Sequence, residues 1–201
     1  MTTPRDLMIT AMDVEPSRPV EPGELSLALA GAELIDLMAA GEVALDGDTI
    51  VPRPRGAVAD RLLDHAAAAL VRDAPYESVG DWLWRRGRGL APAYLTALEA
   101  DGQLTRRRRR WVPLRTGQLI TADVPERQLA RDRWASGEPV LATLARTVGI
   151  QAGGVGDSPG VADDAVETVL VAVGDASVEL EAVRQRRTIE KDAFDNIWRG
   201  Y

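Results

Sequence analysis

The chain of 201 residues has no cysteine and a single histidine, His65. Without cysteine it can form neither a disulfide framework nor a thiolate metal site, and one histidine cannot build a His-based metal site or a Ser-His-Asp triad. We interpret His65 as an ordinary helix residue. The adjacent carboxylates of Asp163 and Asp164 point in different directions on a helix, which suits paired acid-base work poorly. We therefore expect no catalytic residue, no metal and no cofactor, and the protein is not predicted to be an enzyme.

Long apolar runs are also missing. No uninterrupted stretch approaches the roughly 20 residues that a membrane-spanning helix needs, and the N-terminus lacks the charged and then apolar pattern of a signal peptide. We expect a protein that is made and kept in the cytoplasm. Hydrophobic residues make up 45% of the chain, enough for a core. We predict one domain over residues 1–201, with its core at about 4–190 and a C-terminal apolar anchor at 191–201.

Lysine is nearly absent, since Lys191 is the only lysine among 24 basic residues. The arginines are unevenly distributed: residues 85–115 contain nine of them against two acids, a net charge of +7. Because the whole chain carries -7, the remainder carries -14. Such a basic patch on an acidic body would act locally and in one orientation on an anionic partner.

Helical periodicity dominates the chain. Apolar residues recur at three- and four-residue spacing, and Ser78, Gly41, Gly102 and several prolines supply start and stop signals. The pattern predicts a mainly α-helical, single globular domain with surface β-hairpins. The predicted helices cover residues 24–40, 56–72, a short segment after Ser78, about 90–102, 125–134, 139–148, 161–174 and 176–187, with a loop at 153–160.

An internal repeat relates residues 33–52 to residues 94–113 at a constant offset of 61. Both copies indicate a helix, a glycine cap and then a β-hairpin. The first hairpin has strong turn chemistry in Asp46-Gly47-Asp48. The equivalent turn, Arg107-Arg108-Arg109, has none, so its charges have no local conformational reason. We interpret the run as an exposed anion-binding tip, with a solvated turn as the alternative.

Two anions fit a helix followed by a basic hairpin. An anionic membrane would attract the arginines at about 1 kcal/mol each, and a neighbouring tryptophan can settle among the headgroups. The predicted membrane-contacting residues are Arg106, Arg107, Arg108, Arg109, Arg110 and Trp111. A winged-helix protein would instead place the hairpin on DNA phosphates, but the preceding helix offers no Arg, Asn, Gln or Lys to read bases, so DNA binding is the alternative and no nucleic acid is expected.

A second group of arginines precedes the helix that leads into this hairpin. Arg85, Arg86 and Arg88 lie just before a helix N-terminus, where free backbone N–H groups and the helix dipole favour a phosphate. They are the predicted headgroup-binding residues. Trp82 and Trp84 precede these arginines, and at least one of the two is expected to pack in the core.

The order of these elements resembles the Golgi phosphoprotein 3 family, in a bacterial version. The resemblance rests on three stretches and covers about residues 4–190: Arg5-Asp-Leu-Met-Ile-Thr-Ala-Met-Asp13, Glu33-Leu-Ile-Asp-Leu-Met-Ala-Ala-Gly-Glu-Val-Ala-Leu45 and Leu95-Thr-Ala-Leu-Glu-Ala-Asp-Gly-Gln-Leu-Thr105. It implies a helical domain with surface hairpins. It also implies a peripheral protein at the inner face of a membrane that binds the phosphatidylinositol 4-phosphate headgroup.

The headgroup positions of the family carry over only in part. Its tryptophan and first arginine fall on Glu21 and Ala30, and its other two arginines fall on Arg88 and Ala91. Arg88 alone matches. The expected partner is therefore an anionic membrane lipid of the phosphoinositide type, with protein partners unknown.

Overall fold

The computed structural model describes residues 2–56, 58–106, 119–121, 124–151 and 163–199, with residues 105–106, 119–121 and 192–199 described in backbone alone. Within these ranges the chain is mainly helical with two short antiparallel hairpins, which confirms the predicted fold class. The elements in chain order are α1 (Thr3–Asp13), α2 (Pro22–Ala39), β1 (Val43–Asp46), β2 (Thr49–Pro52), α3 (Arg61–Ala68), α4 (Val79–Arg86), α5 (Leu90–Ala100), β3 (Leu104–Arg106), β4 (Leu119–Thr121), α6 (Pro125–Ala135), α7 (Pro139–Thr147) and α8 (Asp164–Arg199).

Helix α2 is the centre of the core. Its apolar side chains cover nearly every side of the helix, and Leu29, Leu34 and Leu37 have no solvent exposure. A helix that is hydrophobic all round has to be surrounded by other elements. It packs against α1, α3, α4, α5, α7 and α8, so the neighbours of α2 are fixed relative to one another through it.

Both copies of the internal repeat form the predicted helix and glycine cap. Helices α2 and α5 end in the same cap, with Gly41 at φ +73° and Gly102 at φ +71°. The N–H of Glu42 donates to the carbonyl of Leu37, and the N–H of Gln103 donates to the carbonyl of Leu98, both at 2.9 Å. These bonds close the last turn of each helix and direct the chain into a strand.

The β-hairpin turn predicted after the cap is found in the first copy of the repeat only. In the first, Asp46 pairs with Thr49 across a two-residue turn, as predicted. In the second, Arg106 pairs with Leu119 and Leu104 with Thr121. The predicted tight turn at Arg107–Arg109 is therefore wrong: residues 107–118 connect the strands and lie outside the described residues. Arginines cannot readily supply the positive φ angles that a two-residue hairpin turn requires.

Three predicted helices differ from the observed ones. The helix expected at 56–72 is α3, which starts at Arg61 because the carboxylate of Asp60 accepts from the N–H groups of Leu62 and Leu63. The helices expected at 161–174 and 176–187 form the single helix α8. Gly174 costs a helix interior only about 0.5–1 kcal/mol, and packing of α8 on α2, α4 and α7 outweighs that cost. The predicted loop at 153–160 lies outside the described residues.

Helices α2 and α8 approach closely where α2 has a glycine. A Cβ atom on Gly31 would lie 2.4 Å from Cγ2 of Val173, which has no solvent exposure. Real Cβ atoms do not come this close, so any larger residue here has to push the helices apart.

We predict that Gly31→Ala lowers the free energy of unfolding by about 1–3 kcal/mol, through overpacking between α2 and α8. Gly174→Ala is the matched control, because a Cβ there meets no atom within 4 Å. The control should raise stability by about 0.5–1 kcal/mol through its better helix propensity. Urea unfolding followed by circular dichroism measures both, and equal effects would contradict the close approach.

Candidate functional site

The three arginines predicted to bind a headgroup lie at the end of α4 and in the turn before α5. Ser78 caps α4, since its Oγ accepts from the N–H of Asp81 at 3.1 Å, as the sequence predicts. The turn of residues 87–89 then reverses the chain into α5. Three arginines within four residues therefore point in different directions, and each meets a different environment.

Arg85 lies on the surface over a buried tryptophan. Trp82 has no solvent exposure, its ring N–H donates to the carbonyl of Ala30 at 3.0 Å, and this confirms its predicted place in the core. The Arg85 guanidinium lies 5.3 Å from the Trp82 ring centroid, 2.5 Å from the carboxylate of Glu77 and 3.0 Å from the carbonyl of Ala69. Arg85 is exposed, but its charge already has a partner in the protein.

Arg86 makes a two-point ion pair inside the protein. Its Nε and Nη2 donate to the two carboxylate oxygens of Glu33 at 2.7 and 2.9 Å, and Tyr94 donates its hydroxyl to the same carboxylate at 3.0 Å. Glu33 has no solvent exposure. Burial raises the pKa of the Glu33 carboxyl, while the bonds from Arg86 and Tyr94 act in the opposite sense. The role of Arg86 in headgroup binding stays a prediction, and in the structure its guanidinium is engaged by a buried acid.

The burial of Glu33 was not predicted, although the sequence contains a signal for it. Glu33 is followed by Leu34 and Ile35 in a helix that is apolar on nearly every side. A carboxylate at such a position needs a buried cationic partner. Tyr94 occupies the equivalent position of the repeat, 61 residues on, so the repeat brings two corresponding residues into contact.

Arg88 is exposed like Arg85, but its side chain makes no hydrogen bond or ion pair among the described residues. It lies between Gly87, where a Cβ would come within 2.6 Å of the Leu83 carbonyl oxygen, and Gly89 at φ +71°. Both glycines are required by the tight turn. The turn therefore presents a free guanidinium to solvent.

The expectation of free N–H groups at the N-terminus of α5 is wrong. The N–H of Leu90 donates to the Gly87 carbonyl at 3.2 Å, and that of Ala91 donates to Oγ of Ser26 at 3.1 Å. Pro92 has no N–H. The first-turn donors are thus used by the protein, and α5 contributes its dipole without open donors.

The other positions that the family resemblance assigned to a headgroup do not carry cations. Glu21 precedes α2, and its carboxylate lies 2.8 Å from Nη2 of Arg184. Ala30 is fully buried and Ala91 nearly so. The carbonyl of Ala30 accepts from the ring N–H of Trp82 at 3.0 Å.

The predicted membrane-contacting residues lie mostly outside the described residues. Arg106 is the last residue of β3 and is described in backbone alone, and residues 107–111 follow it. Within the described residues, no helix has both the length and the apolar character needed to cross a bilayer. No group of three or more acidic or histidine side chains in that part of the chain is arranged to hold a metal ion.

Comparison with known proteins places residues 4–188 under the family model described as Golgi phosphoprotein 3 (GPP34). A comparison with curated proteins finds no match. The matched range covers nearly the whole chain and confirms the family resemblance, which was expected over about residues 4–190.

We predict that Arg86→Met costs about 3–5 kcal/mol of stability at neutral pH, because it leaves the Glu33 carboxylate buried without its cation. The loss should shrink near pH 4.5, the ordinary pKa of a glutamate carboxyl. The substitution raises the folded-state pKa of Glu33 further, so the folded state holds the proton more tightly and stability falls as pH rises through that range.

Arg88→Ala is the control for this experiment, since Arg88 is exposed and without a partner among the described residues. It should leave stability unchanged within about 0.5 kcal/mol at both pH values. Urea unfolding at the two pH values tests both variants. A loss of stability by Arg86→Met that does not depend on pH would contradict the role given to Glu33.

Proposed function

Because the chain belongs to the Golgi phosphoprotein 3 family, we propose that it attaches reversibly, as a peripheral protein, to anionic membrane surfaces of the phosphoinositide type. In this proposal it works at the inner face of a membrane, from the cytoplasm, as a binding protein without catalytic activity. The observation that carries the proposal is Arg88: an exposed guanidinium, free of partners in the described part of the chain, at the family position for a headgroup arginine.

The basic segment 106–110 supplies the second contact. It begins at Arg106, the last residue of β3, and β3 follows the helix whose first turn adjoins Arg88. Five arginines at about 1 kcal/mol each are sufficient for salt-sensitive attachment to an anionic leaflet, and Trp111 can add an interfacial aromatic contact. In this proposal the segment provides general attraction, and Arg88 provides a point contact with a phosphate.

The details of the site favour a weakly selective interaction. Arg86 is engaged by Glu33, Arg85 by Glu77, and the remaining family positions hold Glu21, Ala30 and Ala91. A single free arginine has little geometric means of telling one phosphorylated inositol ring from another. We therefore propose recognition of anionic surface charge in general, with phosphatidylinositol 4-phosphate as one of several lipids that are accepted.

DNA binding is the outcome that would replace this proposal. The exposed face of α5 carries Pro92, Ala93, Thr96 and Ala100, which offer little for reading base edges in a major groove. A basic hairpin without a helix that contacts base edges would give only salt-dependent binding to DNA phosphates.

We predict that the protein co-sediments with vesicles containing phosphatidylinositol 4-phosphate, and also with phosphatidylserine vesicles matched in charge, but not with phosphatidylcholine vesicles. Binding should fall as salt rises. Replacing Arg106–Arg110 by serine should abolish it, whereas replacing the same residues by lysine should preserve most of it. Arg88→Ala should weaken binding about fivefold, the equivalent of roughly 1 kcal/mol.

Arg61→Ala is the matched control, because Arg61 is exposed and has no partner among the described residues. It should leave vesicle binding unchanged. Absence of binding to every anionic vesicle at low salt would refute the proposal. Tight binding of duplex DNA that the serine variant loses would replace it by the winged-helix alternative.

A further inference from the structure

Helix α8 carries an apolar stripe on its outer face. Val171, Val178 and Ile189 are 56%, 72% and 68% exposed, and they are half of the large apolar side chains exposed in the described part of the chain. Partly exposed Ala182 lies between Val178 and Ile189. Steps of seven, four and seven residues keep all four on one side of a helix with 3.6 residues per turn. This side is opposite to the one that packs on α2 through Val169 and Val173.

The spacing of this stripe is the same in both directions. Counted from the C-terminal end of the stripe, the spacings between its residues are again seven, four and seven. If a second α8 lies antiparallel on the first, Val171 therefore faces Ile189 of the other copy, and Val178 faces Ala182. Self-complementarity of this kind is what a two-fold symmetric interface requires.

The distribution of charge along α8 also favours antiparallel pairing of two copies. From residue 164 to residue 180 every ionisable side chain is acidic, and all are exposed: Asp164, Glu167, Asp175 and Glu179. From residue 181 to 191 four basic side chains outnumber two acids. Antiparallel pairing sets the acidic half of one helix against the basic half of the other, and it brings Asp175 beside Arg186 on the same flank of the stripe.

The middle of the stripe forms one wall of an open cleft of about 840 Å³. Gly174, Val178, Ala182 and Gln185 line it on α8, and Thr143 and Thr147 line it on α7. A wall of small side chains lets a second helix approach closely. The rim carries Arg18 and Arg184, which are already paired with Glu24 and Glu21, so an apolar helix face can enter without leaving the rim charges unpaired.

The length of α8 gives a further reason for a partner. Every side chain from Gln185 to Lys191 is exposed, and the helix continues to Arg199. A helical segment of about 15 residues is only marginally stable in water without tertiary contacts. An antiparallel second α8 would cover the start of this extension with the acidic first half of its own helix.

We infer that this protein forms a symmetric dimer in which two copies of α8 pack antiparallel through the stripe of Val171, Val178, Ala182 and Ile189. The inference is independent of membrane binding, because it uses none of Arg88 or residues 106–111. The dimer is proposed for the full chain in solution.

The natural absence of cysteine makes a crosslinking test specific. Val171→Cys and Ile189→Cys, mixed under mild oxidation, should give a disulfide-linked dimer. Each variant alone should give little, because like positions in this arrangement lie about 27 Å apart along the helices, at about 1.5 Å per residue. Leu129→Cys is the control: its parent side chain is 59% exposed on α6, off the stripe, and it should crosslink with neither.

Sedimentation equilibrium of uncrosslinked protein gives the second measurement. The wild type should dimerise with concentration, and Val178→Lys should raise the dimer dissociation constant about tenfold or more. Asp175→Arg or Arg186→Asp alone should weaken the dimer, and the two together should restore it. Val178→Lys should keep the wild-type circular dichroism spectrum, since Val178 is largely exposed.

Three results would overturn the inference. The wild type could remain monomeric at every concentration, which would leave the stripe to a different partner or to none. Val171→Cys could crosslink with itself as readily as with Ile189→Cys, which would indicate a parallel arrangement. Leu129→Cys could crosslink as well as the stripe positions, which would show that the disulfides form by random collision.

Discussion

The buried contact of Glu33 with Arg86 is the interaction on which the arrangement of the central helices depends. It joins α2, which lies at the centre of the core, to the end of α4, and Tyr94 extends it to α5. A fully buried carboxylate beside a partly buried guanidinium is tolerated only when the geometry of the pair is good and its remaining hydrogen bonds are made. The α4–α5 turn can therefore adopt few other positions, and this turn determines where Arg88 emerges.

Ion pairs of the same kind account for several of the arginines in the chain. Arg5 with Asp60, Arg86 with Glu33 and Arg133 with Asp6 are all ion pairs between segments distant in sequence, at 2.5 to 2.9 Å. The guanidinium group suits such sites because its planar fork matches a carboxylate. Much of the basic charge therefore serves the fold. Of the three arginines at the end of α4 and in the turn after it, Arg85 and Arg86 are paired and Arg88 has no partner among the described residues, so less of the basic charge there is left for an external anion than the sequence alone indicates.

Features with a local cause could be predicted from the sequence. The cap of α4 at Ser78, the ends of α2 and α5 at their glycines and the first hairpin all depend on residues within one turn of each other. Features that depend on distant residues could not. The partner of Arg86 is 53 residues away, the strand that pairs with β3 begins beyond the predicted turn, and α8 continues through Gly174 because of its packing against other helices. For the candidate site, the sequence predicted three arginines available to a ligand, and it gave no indication that Glu77 and Glu33 would pair with Arg85 and Arg86.

In the proposed function, the strength of membrane attachment would follow from these charges. A patch of this size on an acidic body gives attraction that decays within about a Debye length and acts in a narrow range of orientations. One patch therefore suits reversible binding better than permanent anchoring. A symmetric dimer doubles the number of patches, and if both reach one bilayer the second contact is formed at a high effective concentration. Attachment would then depend on protein concentration as well as on lipid charge, because dimer formation controls how many patches act together.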